Sequence, residues 1–256
     1  MQTISTTIEG DIATIRLQRG RANAINQLLI SELTQAILEL KANEQVRGVM
    51  LTGQGEFFSA GLDLIEIYEY NEIKVLDFWR DFDRLLRLMV AFPKPLVNAI
   101  TGHCEAGGTL FTLCADYRVM AEGPYRIGLN EVEIGIVIPE TIYHLYSFAL
   151  GRNKAYQYLL DGKMHSPQEA LSNGLVQAVV PLAEVEQVAL TKLKGYLKFS
   201  TRVWAQSKLN FRNALLMRLR TDFQTSFEPT FKQWWTEESR THFRHLAERL
   251  KGGKQG

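Results

Sequence analysis

The chain has 256 residues, a formal net charge of +1 and a hydrophobic share of 46%. That length suits one globular domain with room for a small accessory piece. A near-zero charge gives no footing for a nucleic-acid partner, whose mark is a basic domain. The two cysteines, Cys104 and Cys114, are too few for a disulfide framework and lack metal-ligand spacing, so free buried thiols in a reducing compartment are expected, with no metal. Met1 to Asp11 has neither the basic flank nor the apolar run of a secretory signal. No apolar stretch approaches the ~20 residues of a membrane helix. The expectation is a cytoplasmic protein without membrane contact.

Ile12 to Leu17 alternates apolar and polar residues, as a half-buried strand does. A loop over Arg19 to Ile25 follows, with Asn26 placed to cap a helix. Leu29, Leu33, Ile37 and Leu40 then form one apolar helical stripe. Val46 to Thr52 reads as a buried strand. A long amphipathic helix is expected over Ile73 to Ala91, stopped by Pro93 and Pro95. Leu96 to Thr101 reads as a strand, Thr109 to Cys114 as a helix, and Tyr117 to Ala121 as another strand. Strand, glycine-bearing turn and helix thus recur, the trace that a spiral of β-β-α turns leaves. Gln168 to Asn173 reads as helix and Leu175 to Val180 as a short strand; from about Val185 the chain is mostly helical. Phe223, Phe227, Phe231, Trp234, Trp235 and Phe243 fit either a packed core or a surface shared with other subunits, where large aromatics are enriched. Gly252 to Gly256 is expected to be disordered.

Two turns stand out as candidates for chemistry: Phe57-Phe-Ser-Ala-Gly-Leu-Asp-Leu64 and Gly102-His-Cys-Glu-Ala-Gly-Gly108. Each follows a strand and precedes a helix, and a sharp turn at a helix start presents free N–H groups. Brought together, two such turns could aim two donors at one developing oxyanion. Tight turning alone also explains the glycines. Ile127 to Ile136 carries Glu131 and Glu133 in an otherwise apolar stretch, where acids are paired, exposed or functional. Alternation would put both on one face.

Phe58-Ser-Ala-Gly-Leu-Asp63, Ala106-Gly-Gly108 with Cys114-Ala-Asp-Tyr-Arg118, and Asn130-Glu131 with Gly135 occur in the order and spacing of the crotonase (enoyl-CoA hydratase/isomerase) family, and the chain resembles that family over nearly its whole length. The resemblance implies an α/β fold, a crotonase spiral of repeated β-β-α turns over residues 1–195 and a C-terminal α-helical oligomerisation region over 196–256. It implies an acyl-CoA thioester as substrate, with coenzyme A entering as part of that substrate and no permanently bound cofactor. The backbone N–H groups of Leu62 and Gly107 match the family's oxyanion donors. Arg21, Ala22 and Ala24, with Ser59, Ala60, Gly61, Leu62 and Asp63, match its coenzyme A-binding segments. Arg249 and Lys251 fall where its last helix offers a basic residue to a coenzyme A phosphate. Relatives assemble as trimers or hexamers, so a homotrimer or hexamer is implied.

Hydratases of this family use two glutamates to add water. The first aligns with Leu110, which is no acid; the second aligns with Glu131. A lone base can still carry a proton from C2 to C4 of a 3-enoyl thioester, and the Δ3,Δ2-enoyl-CoA isomerase branch has this single-glutamate arrangement, which the chain's motifs resemble most. The alternatives are a hydratase or another crotonase-type lyase or hydrolase, and, in a different class, a non-catalytic acyl-CoA-binding protein. Glu140 is the one candidate for a second acid, although the first turn of a helix also favours an acid there. Glu105 is expected at the surface and Glu133 in a structural pair. His103 and His144 are expected in core or surface roles. Ser59 has no neighbouring base to make it a nucleophile. Tyr68, Tyr70, Phe78, Trp79 and Phe82 are candidates for an acyl pocket or for ordinary packing.

Overall fold

The computed structural model describes residues 1–219 and 223–252, so residues 253–256 of the expected disordered tail lie outside them. The chain begins with an antiparallel hairpin of β1 (Ile4–Glu9) and β2 (Ile12–Leu17), followed by α1 (Gln27–Ala42). Asn26 caps α1 as expected, its side chain accepting from the Leu29 N–H. Three windings then follow. The first is β3 (Gly48–Thr52), β4 (Phe57–Ser59), α2 (Leu64–Tyr68) and α3 (Glu72–Val90). The second is β5 (Leu96–Ile100), β6 (His103–Glu105) and α4 (Gly107–Leu113). The third is β7 (Tyr117–Ala121), β8 (Ile127–Gly128), α5 (Glu140–Leu150) and α6 (Arg152–Leu160). β9 (Met164–His165), α7 (Pro167–Asn173), β10 (Ala178–Val180) and the helices α8 (Val185–Tyr196), α9 (Thr201–Arg218), α10 (Phe223–Trp234) and α11 (Glu237–Gly252) complete it.

Each winding sends one strand to each of two sheets. The larger runs β1-β2-β3-β5-β7-β10 and is parallel from β2 onward. The smaller runs β4-β6-β8-β9, its first three strands parallel. β3 and β5 are buried at every position, as strands of a parallel sheet covered on both faces must be. α8 covers one face through Val185, Ala189 and Leu193, against Met50, Val97 and Val119. The main core fills the other side, with α1, α3 and α4. This is the expected β-β-α spiral.

The C-terminal helices fold back onto their own chain: α9 meets α5, α10 meets α3 and α5, and α11 meets α2. Phe227, Trp234 and Phe243 are buried there, and the Trp234 and Phe243 rings stack at 4.4 Å. The core reading therefore accounts for these three aromatics. Alternation along Ile127 to Ile136 does not occur. Beyond β8 the chain turns, with the Ile134 N–H donating to Asn130 O at 3.1 Å, so Glu131 is buried and Glu133 exposed. Glu133 has no ion pair among the described residues, contrary to the structural pair expected; the turn aims it at solvent.

The motif Cys114-Ala-Asp-Tyr-Arg118 is explained by one buried ionic knot. Asp116 accepts from Lys208 Nζ at 2.7 Å and Arg212 Nη2 at 2.9 Å, and from the Leu96 N–H at 2.8 Å. All three charged side chains are under a tenth exposed, so each cation is held by one shared carboxylate plus backbone carbonyls. Removing the acid leaves two buried cations without a counter-charge. Asp116→Ala is accordingly expected to lower unfolding free energy by about 3–5 kcal/mol in denaturant titration, far more than an exposed Asp-to-Ala change such as Asp77→Ala.

Candidate active site

The two turns singled out in the sequence are packed against each other. β4 and β6 pair in parallel, Phe57 opposite His103 and Ser59 opposite Cys104, which brings the ends of both strands side by side. Gly61 has φ +82°, and a Cβ placed on it would lie 2.6 Å from Ala106 Cβ and 3.2 Å from the Gly107 nitrogen. Gly108 sits equally tightly on Ser59, where a Cβ would meet Ser59 Cβ and O at 2.8 Å. Ala106 itself is held at φ +49°, a conformation that costs a residue with a Cβ about 1–3 kcal/mol. That backbone turns α4 so that it starts without a side-chain cap, leaving first-turn N–H groups free. The N–H groups of Leu62 and Gly107 have no acceptor among the described residues. A Cβ on Gly107 would come within 3.4 Å of the Leu62 side chain and 3.3 Å of Phe82.

The loop around Arg21 joins the first turn. Ala60 N–H donates to Ala22 O, Ile25 N–H to Gly61 O, and Asp63 N–H to Ile25 O. Ser59 Oγ donates to Asn23 O and accepts from the Gly61 N–H, a structural use consistent with its lack of a base. Arg19, which sequence reasoning left in a loop, is the clamp: it pairs with Asp63 at 2.7 Å and with Glu66 at 3.0 Å, and donates to Ala24 O. Asp63 is turned inward and caps α2. Arg21 lies at the surface beside Glu56, 2.7 Å away. Lys251, on α11, comes within 3.8 Å of Glu69 at the end of α2, and Arg249 is exposed on the same helix.

Glu131 lies three residues beyond Gly128, whose carbonyl accepts from the Ala106 N–H at 2.8 Å. The smaller sheet thus sets the start of its loop, Gly128, beside the second turn. Glu131 is 4% exposed, its Oε2 has no hydrogen-bond partner, and burial pushes its carboxyl up to about 8. Leu110 is buried in the core. Glu140 does not complete a pair with Glu131: it stands in the first turn of α5, more than half exposed, and bonds His144 Nε2 at 3.0 Å. Glu105 is half-buried near His103 rather than at the open surface expected, because β6 packs between β4 and β8. His103 accepts from the Arg126 N–H and packs on Phe57 and Tyr125.

The aromatic candidates divide. Tyr70 bonds Glu66, and Tyr68 lies under the Arg240 guanidinium at 4.1 Å. Phe78 is fully buried. Trp79 and Phe82 line a crevice of about 20 Å³ between α3, α5 and α10, with Ile142 and Phe227 opposite. Phe82 therefore touches both Gly107 and the crevice.

Fold and site together define an α/β protein with an uncapped helix start, a second free N–H and a buried acid. The family model described as enoyl-CoA hydratase/isomerase matches residues 7–252. Mouse (Mus musculus) enoyl-CoA delta isomerase 1, mitochondrial, is 37% identical over 188 residues, 73% of this chain and 65% of that protein. Its human (Homo sapiens) counterpart is 32% identical over 82% of this chain and 70% of its own length. The chain matches about two thirds of the length of these curated relatives. The crystal structure of human mitochondrial delta3-delta2-enoyl-CoA isomerase superposes with a TM-score of 0.94 at 28% identity, covering 99% of this chain and 100% of that one. The chain belongs to the enoyl-CoA hydratase/isomerase family, the crotonases. Both mammalian relatives are mitochondrial by name, which gives no support to the cytoplasmic expectation. No helix among the described residues is long and apolar enough to cross a membrane.

Two outcomes follow from this geometry. Gly61→Ala forces the two turns apart, against Ala106 Cβ and from a positive φ, and is expected to lower unfolding free energy by about 1–3 kcal/mol in denaturant titration. Glu131 holds its proton more tightly folded than unfolded, so it lowers stability as pH rises from about 4.5 towards 8. Glu131→Gln should therefore be more stable than the parent by about 3 kcal/mol at pH 7. Thermal unfolding at pH 4 should show the difference gone.

Proposed function

We propose that this chain isomerises 3-enoyl-CoA thioesters to trans-2-enoyl-CoA, with Glu131 as the only acid–base group. The observation that carries this reading is Glu131 buried with its Oε2 unpartnered among the described residues, while Leu110 is buried where the other acid would align. The thioester oxygen would accept from the Leu62 and Gly107 N–H groups, which have no acceptor among the described residues. Ionised Glu131 takes a proton from C2, and the electron pair left behind spreads over C2, C4 and the thioester oxygen as a dienolate. The oxyanion is where two fixed donors act most strongly. Protonated Glu131 then returns the proton to C4, leaving the double bond between C2 and C3. Coenzyme A is bound only as part of the substrate, with Arg21, Ala22, Ala24, Ser59 to Asp63 and Arg249 as the segments that would hold it.

A carboxyl near 8 suits this task. A group whose pKa lies close to the operating pH takes and gives a proton with similar ease. Hydration needs a second group to position water, and the position of Glu140 on α5, tied to His144, speaks against it. A purely binding role leaves the cost of burying Glu131 without a return.

Assembly into trimers or hexamers is part of the same reading. Phe148, Val203 and Phe211 expose apolar surface on α5 and α9, and apolar patches of that kind mark contacts between proteins.

Purified protein given trans-3-hexenoyl-CoA is expected to convert it rapidly while hydrating crotonyl-CoA poorly, followed by mass and absorbance. kcat/KM should rise with pH and level off above about 8, because the ionised carboxylate is the active form. Glu131→Gln should lose about 10²–10⁴-fold. Full turnover in that variant, or efficient hydration by the parent, would overturn the reading.

A further inference from the structure

α4 starts at Gly107, with its free N–H, and ends at Leu113. Past that far end, between α5, α8 and α9, lies a cleft of about 370 Å³, within the size range of small-molecule sites. Its floor holds Asp116, Arg118, Lys208 and Arg212, and the three cations are at most 7% exposed. Its rim is apolar. Phe148 on α5 and Phe211 on α9 are exposed there, and Trp204 is half-buried in the same lining. Buried polar groups under apolar walls are the usual make-up of a ligand site.

The floor is short of negative charge. Lys208 and Arg212 share the one carboxylate of Asp116. Arg118 has no ion pair among the described residues: its Nε donates to Leu175 O at 2.6 Å, and its Nη1 reaches Ala115 O at 3.5 Å. Asp116 is the only acid among the described residues that line the cleft. Burial raises the Cys114 thiol and the Tyr196 hydroxyl to about 12, so neither is an anion near neutral pH. Backbone carbonyls satisfy donors of all three cations, but a carbonyl carries no net charge. An excess of two positive charges therefore stays buried, which is costly without a counter-charge. The cations register it. Burial, with Arg212 close by, pushes Arg118 down to about 10, and burial pushes Lys208 down to about 8 despite its contact with Asp116.

We propose that this cleft binds a small organic carboxylate, whose oxygens meet Arg118, Lys208 and Arg212 and whose apolar body lies on Phe148, Trp204 and Phe211. A guanidinium fork matches a carboxylate in shape as well as charge. A dicarboxylate brings the two negative charges that the floor lacks. The aromatic walls favour an organic body over a bare inorganic ion, which has nothing to lay against them. Phe148 and Phe211 also belong to the apolar surface assigned to assembly, so in a trimer the cleft would open at a subunit boundary. The proposal is independent of the isomerase reading.

The test titrates the purified protein with phthalate by calorimetry, at an ionic strength held constant with chloride. Saturable binding is expected, with inorganic phosphate binding much more weakly. Ser207, half-buried in the cleft lining, allows a charge test. Ser207→Asp places a carboxylate of the chain's own at the cations. It should raise the unfolding temperature and weaken phthalate binding about tenfold or more, whereas the nearly isosteric Ser207→Asn should do neither. Phthalate should also change the tryptophan fluorescence, and Trp204→Phe should abolish that change; this readout serves if the variants at position 207 do not fold. Absence of saturable phthalate binding, or equal binding by the Asp and Asn variants, would overturn the proposal. Phosphate binding as tightly as phthalate would overturn the organic ligand. No phthalate binding, together with an assembly that Ser207→Asp dissociates in sedimentation, would put a carboxylate of a second copy in the cleft and overturn the small molecule.

Discussion

Gly61 presses on Ala106 so closely that it leaves no room for a Cβ, and Gly108 presses as tightly on Ser59. That contact between two chain turns is where the spiral and the chemistry meet. It exists because β4 and β6 are laid side by side by successive windings, and it would vanish if the smaller sheet slipped by one residue. Ala106 pays for the geometry with an unfavourable backbone conformation, and Arg19 braces the neighbouring loop through Asp63 and Glu66. The third winding adds β8 to the same ladder, with Glu131 three residues beyond it. A small sheet of two- and three-residue strands thus joins segments far apart in the chain.

Two buried charge systems in this molecule have opposite characters. Around Asp116, one carboxylate is shared by two cations, and their remaining donors meet backbone carbonyls. That knot fastens α9 to the spiral. Glu131 has no such company. Its carboxyl is driven towards neutrality by burial, which costs stability at neutral pH and, in the proposed function, supplies a base. Proteins are expected to break their own rules at functional sites and to compensate elsewhere. Here the compensation is a wide apolar core with nearly complete burial of β3 and β5.

The sequence made the large elements plain. The stripe of α1, the proline stop after α3 and the apolar runs of β5 and β7 all report burial periodicity, and the structure places them within a residue or two. Strands as short as β4, β6, β8 and β9 carry no periodicity to read, since two or three residues cannot show a period of two. Only the spacing of the glycine motifs pointed to where those strands lead. β1 was missed because only Ile4 of its six residues is buried, so it carries no apolar face to read. The pairing of Glu131 with Glu133 on one face failed because the segment turns after Gly128.

Leu110 and Glu131 are best understood together. A second glutamate at position 110 would bring a like charge and the water needed to solvate it, and the two carboxyls would then titrate as a coupled pair. Leucine there removes both effects. Desolvation is then the dominant influence on the Glu131 proton. In the proposed isomerase, the leucine that stands where a hydratase would carry its second acid leaves Glu131 to act by itself. A lone buried carboxyl with a pKa near neutrality would be poor at holding water for addition and well matched to lifting a proton from one carbon and setting it down on another.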